Sequence, residues 1–441
     1  METFTDNGFG GPVALPSDWC FVHASDLHLD TPFEGLRATA PHMAEAVRDA
    51  SLAAFERIVD LAVERQARFV VLAGDIYDGA ERGIRAQIAF RRGVERLSEC
   101  GISVFVAHGN HDPVEEGWSA IRSWPPLVHI FPAGELGVFE VGDGTDRYAT
   151  VQGISFPRRD VSENLSLRFR RPSGAGAHIG VLHCNVSTIK GHANYSPCRI
   201  EDLEAARLDY FALGHIHTRS VLSSDPDGST IAYSGNTQGR SLRESERGPK
   251  GAVVVRMRDD KMLDGEFVAC DAVRFEQADI DIEALSDVGD LATALSAAAE
   301  GFAASAEGRP VISRARLTGR GALHYDLLRG GGTVELLAEL RRMAEARGGA
   351  VWWDSVDDRT NAPATRRDGP RSTDFASDLE AVAQAIASSP ESLRRLVEEV
   401  GAPLPRRLLA LTSRADTHAA RLSLLESAIG RALDLVESEQ P

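Results

Sequence analysis

The sequence predicts an α/β protein in which a large layered domain is followed by a smaller α/β domain and a helical C-terminal region. Two observations predict the large domain: short apolar strands alternate with amphipathic helices along the first half of the chain, and three successive strands end in polar residues. A third observation predicts the remainder, because beyond about residue 270 the alternation changes to an Ala-rich mixture of helix and strand. With 441 residues, 43% hydrophobic and 26% charged, the chain is long enough for two or three domains. That composition excludes a wholly disordered, collagen-like or coiled-coil protein.

The elements follow in order. CFVHAS (20–25) reads as a strand ending at Asp26, and residues 42–66 as a helix behind Pro41, with Met43, Val47, Leu52, Phe55, Ile58, Val59 and Ala62 at mostly helical spacing. FVVLAG (69–74) is a second buried strand, ending at Asp75; a helix over 83–99 leads to ISVFVA (102–107), which ends in HGNHD. Further strands are predicted at 127–131, 149–155, 178–183, 208–213, 229–233 and 251–257. The second domain is predicted from a helix at 289–305, a strand at 310–319, a helix at 333–347 and a strand at 350–356. The polar stretch 355–374, with two prolines and a glycine, reads as a linker. After it Phe375, Leu379, Val382 and Ile386 form a helical stripe, Ser389-Pro390 reads as an N-cap with a proline at the first helical position, and Gly401 as a C-terminal cap. A last helix carries Leu422, Leu425, Ile429, Leu433 and Val436. These helices either pack on one another as a hairpin or offer a stripe to a partner.

Charge and cysteine usage narrow the class. The formal charge of −17 opposes non-specific nucleic-acid binding. Residues 151–200, however, hold seven basic residues (Arg158, Arg159, Arg168, Arg170, Arg171, Lys190, Arg199) against Asp160 and Glu163. This is a local basic surface or an ordinary solvated stretch. Cys20, Cys100, Cys184, Cys198 and Cys270 are odd in number and form no CxxC pair, so reduced thiols are expected. No apolar run approaches the roughly 18 residues of a membrane-spanning helix. The N-terminus lacks a secretory pattern, which predicts a cytoplasmic protein with no membrane partner.

The chemistry lies in five short blocks: Asp26-Leu27-His28, Gly74-Asp75-Ile76-Tyr77-Asp78, Gly109-Asn110-His111-Asp112, Leu182-His183 and Gly214-His215-Ile216-His217. Four of them directly follow predicted strands, where ligands of α/β sheets gather. Carboxylates and imidazoles suit Mn²⁺, Fe²⁺ or Zn²⁺ better than Mg²⁺ or Ca²⁺, which favour oxygen shells. A carboxylate can bridge two such ions, and a pair roughly 3.5–4 Å apart can clamp the attacking and leaving oxygens of a phosphoryl displacement.

These blocks, DxH, GDxxD, GNHD, an isolated His after a strand and GHxH, resemble in type and order the signature of the calcineurin-like metallophosphoesterase superfamily. Within it FVHASDLHLD, VLAGDIYD, HGNHDP, ALGHIH and SGNTQGRS resemble the SbcD-type DNA repair exonucleases. SDLHLDTPFEGL and the run VLHCNV…HANYSPC…LDYFALGHIH are most similar to their YhaO-like bacterial relatives. The resemblance covers roughly residues 20–257 and reaches the C-terminal region only in layout. It implies a four-layer αββα metallophosphoesterase sandwich over 20–270 after an N-terminal extension (1–19), then a small α/β cap (271–358), a linker (359–374) and a helical C-terminal region (375–441).

By that resemblance Asp26, His28 and His217 hold one divalent ion and Asn110, His183 and His215 another, Asp75 bridging, with manganese ahead of iron or zinc. The nucleophile is then a metal-bound hydroxide. His111 lies over the substrate, to stabilise phosphate charge or protonate the leaving oxygen, and Asp112 orients it. Asp78, where some relatives have His, is either a carboxylate behind a ligand or a turn residue. Arg240 is a candidate phosphate contact or an ordinary ion pair, and His192 a candidate substrate contact or a surface loop residue. His23, inside the first strand, reads as a hydrogen-bonded core histidine, and His108 as a residue supporting the GNHD turn.

The resemblance implies a metal-dependent DNA repair nuclease, exonuclease-like. Its implied partners are DNA, a second copy in a homodimer, and an SMC-like ATPase of the SbcC or YhaN kind docking on 373–441. The alternatives are a small-molecule phosphodiesterase or nucleotidase, and a DNA-end-binding scaffold with weak activity.

Overall fold

The computed structural model describes residues 18–31, 41–79, 83–116, 119–143, 146–187, 194–224, 228–363 and 375–401, with parts of 417–429. The N-terminal extension up to residue 17, Lys190 and His192 lie outside them. The chain divides into two compact units, residues 1–276 with 302–312 and 350–352, and residues 277–301, 313–349 and 353–441.

The first unit opens with β1 (Asp18–Ala24), α1 (Pro41–Glu64), β2 (Phe69–Ala73), α2 (Ile84–Glu99), β3 (Ser103–Ala107) and β4 (Val128–Ile130). It continues with β5 (Gly137–Asp143), β6 (Asp146–Ile154), β7 (Ala177–His183), α3 (Ile200–Glu204), β8 (Tyr210–Gly214), β9 (Ser220–Ser224), β10 (Thr230–Tyr233), β11 (Gly251–Arg258) and β12 (Lys261–Ala269). Two six-stranded sheets result, in the orders β12-β11-β1-β2-β3-β4 and β5-β6-β7-β8-β10-β9. In the first, β1, β2, β3 and β4 run parallel, so their carboxyl ends meet on one edge. In the second, β6, β7, β8 and β10 do the same.

The strand period of two explains the layering. On β1, Val22 and Ala24 join a core shared with Phe55, Ile58 and Phe90 of α1 and α2, whereas Phe21 faces the second sheet with Phe69, Val151, Val181 and Tyr210. Phe21 and Phe69 stack there with ring centroids 4.8 Å apart. Each such buried aromatic contributes about 1.5–3 kcal/mol of burial. A third core, with Leu182, Leu203, Phe211 and Phe169, covers the outer face of the second sheet. Helix, sheet, sheet and outer cover make the four layers. Among these twelve strands β5, β9 and β12 are additions to the expected set; all three are edge strands, and the exposed positions of β9 and β12 weaken the apolar signal.

The second unit holds most of β13 (Arg274–Asp281), α4 (Val288–Ser305), β14 (Val311–Thr318), α5 (Leu323–Leu328), α6 (Gly332–Ala346), β15 (Val351–Asp358), α7 (Phe375–Ala387) and α8 (Pro390–Gly401). Its three-stranded sheet has the order β13-β14-β15. The predicted linker starts too early, since β15 runs to Asp358 and Asn361 exchanges backbone hydrogen bonds with Gly319 and Gly321. Helix α8 begins at Pro390, with the Ser389 hydroxyl accepting from the Ser392 N–H at 3.3 Å, and Gly401 is its last residue. Ala383 and Leu393 are buried while Val382 is exposed, so the predicted stripe is rotated slightly toward the α7–α8 contact. Of the last predicted helix, Leu422, Leu425 and Ile429 are helical, and Leu433 and Val436 lie outside the described residues.

All five cysteines are free thiols, Cys184 and Cys198 in contact at 3.8 Å between sulfurs. Among the described residues no helix is long and apolar enough to cross a membrane.

Candidate metal centre

The five blocks converge at the carboxyl edges of the two sheets. Beyond the end of β1 the chain stays paired with the segment after β2: Asp26 N–H donates to Gly74 O at 3.0 Å and His28 N–H to Asp75 O at 3.0 Å. This places Asp26, His28 and Asp75 side by side. His183 closes β7, and His215 and His217 follow β8, so the second sheet supplies imidazoles, and the first supplies carboxylates and the imidazole of His28. The loops turn sharply to do this. Asp26, His28, Asp75 and His215 have φ of 52°, 45°, 53° and 99°, a left-handed backbone that costs non-glycine residues energy and clusters at functional sites.

Close approach also dictates two glycines. A Cβ on Gly109 would stand 2.3 Å from Asp75 Oδ1, and one on Gly214 would stand 1.8 Å from the Ala73 carbonyl oxygen. Gly109 therefore lets the GNHD turn close over Asp75, whose Oδ1 accepts from the His111 N–H at 2.9 Å.

The ligating atoms face one another. His183 Nδ1 donates to Ala73 O at 3.0 Å, which leaves Nε2 as an acceptor, 3.0 Å from Asn110 Oδ1 and 3.5 Å from Asp75 Oδ2. His217 Nδ1 donates to Glu246 Oε1 at 2.6 Å, turning its Nε2 toward His28 Nε2 at 3.3 Å and Asp26 Oδ1 at 3.9 Å. His28 Nε2 is 3.7 Å from Asp75 Oδ2. Candidate ligand atoms of Asp26, His28 and His217, and those of Asp26, Asp75 and His183, lie within 4.8 Å of one another. Electron pairs that converge on one point inside a buried site call for a cation between them, and the donor set fits divalent ions of the manganese, iron or zinc type. His215 is brought in differently: its N–H reaches both Asp26 oxygens at 3.1 Å and its ring lies 5.3 Å from that of His183.

Charge follows geometry. Burial pushes the Asp26 carboxyl up, but His183, His217 and His28 outweigh it and hold it below the ordinary range. Burial, with Arg240 nearby, lowers His28. Glu246 is pushed up by burial, yet its hydrogen bond with His217 brings it down to about 2. His111 is raised, chiefly by Asp78.

The reading of Asp112 needs revision. Asp112 is tied to main chain and to His108. Its carboxylate is buried and accepts from Gly109 N–H at 2.8 Å and Ile76 N–H at 2.9 Å, with His108 Nδ1 at 2.9 Å, so it ties the GNHD turn to the GDxxD turn. The carboxylate beside His111 Nδ1 is Asp78, at 3.4 Å, and Asp78 also meets Arg240 NH1 at 2.8 Å. Two arginines of the basic window are ion-paired, which fits the reading of an ordinary solvated stretch: Arg168 meets Glu163 at 2.8 Å, and Arg171 meets Asp209 at 2.7 Å at the start of β8, the end away from His215. Glu246 went unnoticed in the sequence. It binds His217, Asn236 Nδ2 at 2.8 Å and Arg240 N–H at 3.0 Å, and the only signal was an acidic residue six positions after Arg240. His23 is a core histidine, Nδ1 3.0 Å from the Tyr210 hydroxyl and Nε2 3.2 Å from Leu213 O.

Residues 21–219 match the calcineurin-like phosphoesterase family model, and residues 275–361 match that of the middle domain of metallophosphoesterase YhaO. The uncharacterized metallophosphoesterase YhaO of Bacillus subtilis (strain 168) is 36% identical over 354 residues, 79% of this chain and 83% of that one. The DNA double-strand break repair protein Mre11 of Sulfurisphaera tokodaii is 27% identical over 216 residues, 47% of this chain and 53% of the relative. That of Archaeoglobus fulgidus is 27% identical over 294 residues, 61% of this chain and 60% of the relative, so the chain spans little more than half the length of these two proteins. With the family's five blocks meeting at the carboxyl edges of the two sheets and a relative of this identity aligned over most of both chains, the chain belongs to the calcineurin-like metallophosphoesterases, in their YhaO group.

Proposed function

We propose that this chain is a metal-dependent DNA repair nuclease, exonuclease-like, that hydrolyses DNA phosphodiester bonds. The observation that carries the reading is the convergence of Asp26, His28, Asp75, His183 and His217, with His111 part-buried beside them. Asp26, His28 and His217 would hold one divalent ion and Asn110, His183 and His215 the other, with Asp75 between them. When bound, two such ions, manganese in first place, supply an activated water at neutral pH and neutralise charge on the phosphate. His111 stands ready to donate a proton toward the leaving oxygen. Asp112 keeps the turn that carries it, and Arg240 offers a guanidinium to a non-bridging phosphate oxygen. His192 is retained as a substrate contact from its sequence context.

DNA as substrate is supported by the similarity to the Mre11 repair proteins over about half the chain. On this reading residues 20–270 are catalytic, 271–358 cap the DNA, and 375–441 dock an SMC-like ATPase, the whole working as a homodimer. A second reading, a small-molecule phosphodiesterase or nucleotidase, is favoured by the −17 charge and by the ion-paired state of Arg168 and Arg171.

Mn²⁺-dependent digestion of end-labelled single- and double-stranded DNA, beside bis-p-nitrophenyl phosphate and with Asp75→Ala as control, separates the two. Cleavage of both, lost in the control, is expected. Model-diester turnover with intact DNA, in the full chain and over a range of salt, would select the small-molecule enzyme.

A further inference from the structure

Lys250 stands just before β11 and is 6% exposed, a buried ammonium that the proposed reaction does not use. Burying such a charge is costly unless its N–H groups find acceptors. They find two main-chain carbonyls, since Nζ donates to His217 O at 3.0 Å and to Ser245 O. The first belongs to a candidate ligand, and the second to the residue before Glu246, whose carboxylate accepts from His217 Nδ1 at 2.6 Å. Two segments 29 residues apart in the chain are therefore joined twice. One tie is the ammonium between their carbonyls, the other the hydrogen bond between their side chains. Lys250 is itself fixed, because its own carbonyl accepts from Cys270 N–H at 2.8 Å and Asp271 N–H at 3.0 Å. The carboxylates of Glu246, Asp271 and Asp26 act on the ammonium and offset part of the cost of its burial.

We propose that Lys250 is a positioning residue for the ion assigned to Asp26, His28 and His217: it ties the His217 main chain to the turn that carries Glu246, so that the imidazole is held with Nε2 toward Asp26 and His28. The inference rests on the two-ion phosphoesterase reading above. Glu246 selects which nitrogen of His217 carries the proton, but it does so only while the two segments keep their spacing. One nitrogen between two carbonyls sets that spacing. A ligand held in place before the ion arrives gives up less freedom on binding, and so binds more tightly. Among the described residues Lys250 donates to none of Asn110, His183 and His215, so the other ion serves as an internal reference.

Lys250→Met keeps the length of the side chain and removes its donors. In the full chain titrated with Mn²⁺ it should weaken one of two ions about 10–100-fold, the scale for groups behind metal-bound imidazoles, and leave the other near wild type. At metal concentrations that just saturate the wild type, its paramagnetic resonance spectrum should change from a coupled two-ion signal to the one-ion signal given by His217→Ala, and not to that of His183→Ala. In a Glu246→Gln background the same substitution should add at most about 2–3-fold, because both residues act through one imidazole. Should Lys250→Met lose its cooperative urea transition, Lys250→Gln, which keeps a neutral donor, carries the same test at smaller amplitude.

Equal weakening of both ions, unchanged affinity for both, or a full further loss in the Glu246→Gln background would overturn the assignment and leave Lys250 a support of the fold alone. A wild-type chain that binds fewer than two Mn²⁺ ions would sink the two-ion reading, and the inference with it.

Discussion

The floor and the rim of the site are held by different means. On the floor, Asp26, Asp75 and His183 are buried and tied to main chain: Asp26 by the His215 N–H, Asp75 by the His111 N–H, and His183 by the Ala73 carbonyl. On the rim, Asp78, His111 and Arg240 meet through side chains and are a quarter to a third exposed. Main-chain ties move only if strands move, whereas side-chain contacts reorganise by rotamer changes of low cost. The floor is therefore suited to holding ions in a fixed frame, and the rim to closing on a substrate. Damage to the floor should remove metal and stability together; damage to the rim should remove turnover or phosphate binding and leave the metal in place.

Gly214→Ala is the severest test of the floor. Its Cβ would press on the Ala73 oxygen that fixes His183, and overpacking against backbone costs roughly 1–3 kcal/mol or more. A fall in the urea midpoint together with loss of bound metal is expected. A variant of wild-type stability and full metal content would show that the frame is not rigid. His111→Ala tests the rim, with kcat falling about 10²–10⁴-fold, the range for losing a general acid. Both ions should remain, by elemental analysis; an ion lost with His111 would erase the distinction between floor and rim.

Between the two lies Glu246, which neither donates to substrate nor ligates, but fixes the proton on His217 Nδ1. Glu246→Gln should weaken metal binding about 10–100-fold, as for other carboxylates behind metal-bound imidazoles, with kcat at saturating metal nearly restored. Unchanged metal affinity would mean that the protein frame alone orients His217.

The residues of the floor and their convergence were largely legible in the sequence; the rim residues His111, Asp78 and Arg240 were legible as candidates, but their pairing with one another was not. Asp26, Asp75 and His183 follow buried strands whose apolar runs fix where each ends, so strand and ligand announce each other. Asp78, Arg240 and Glu246 come from irregular turns that only tertiary folding brings together, 162 residues separating Asp78 from Arg240. Asp112 misled for a related reason. The resemblance implied that it orients His111, but the Asp112 carboxylate serves the main chain of Gly109 and Ile76, contacts that no sequence pattern announces. The same logic hid β9 and β12, edge strands with little apolar alternation.

Strand β1 offers the finest comparison, because it carries a core histidine, His23, and leads five residues later to a candidate ligand, His28. His23 is buried against Tyr210, and burial lowers its pKa to about 3. The unfolded chain takes up this proton below about pH 6.5, while the folded chain refuses it until about pH 3, so the folded state loses stability as pH falls through that window. The slope from this one group rises to about 1.4 kcal/mol per pH unit, which amounts to roughly 2 kcal/mol between pH 6.5 and 4.5. His23→Gln can keep one hydrogen bond but cannot titrate. Its urea-derived stability should therefore start lower at pH 7.5 and decline less steeply toward pH 4.5 than the wild type. Parallel curves would mean that His23 already admits a proton in the folded chain, and that the core at β1 is as open to charge as the site just beyond its end.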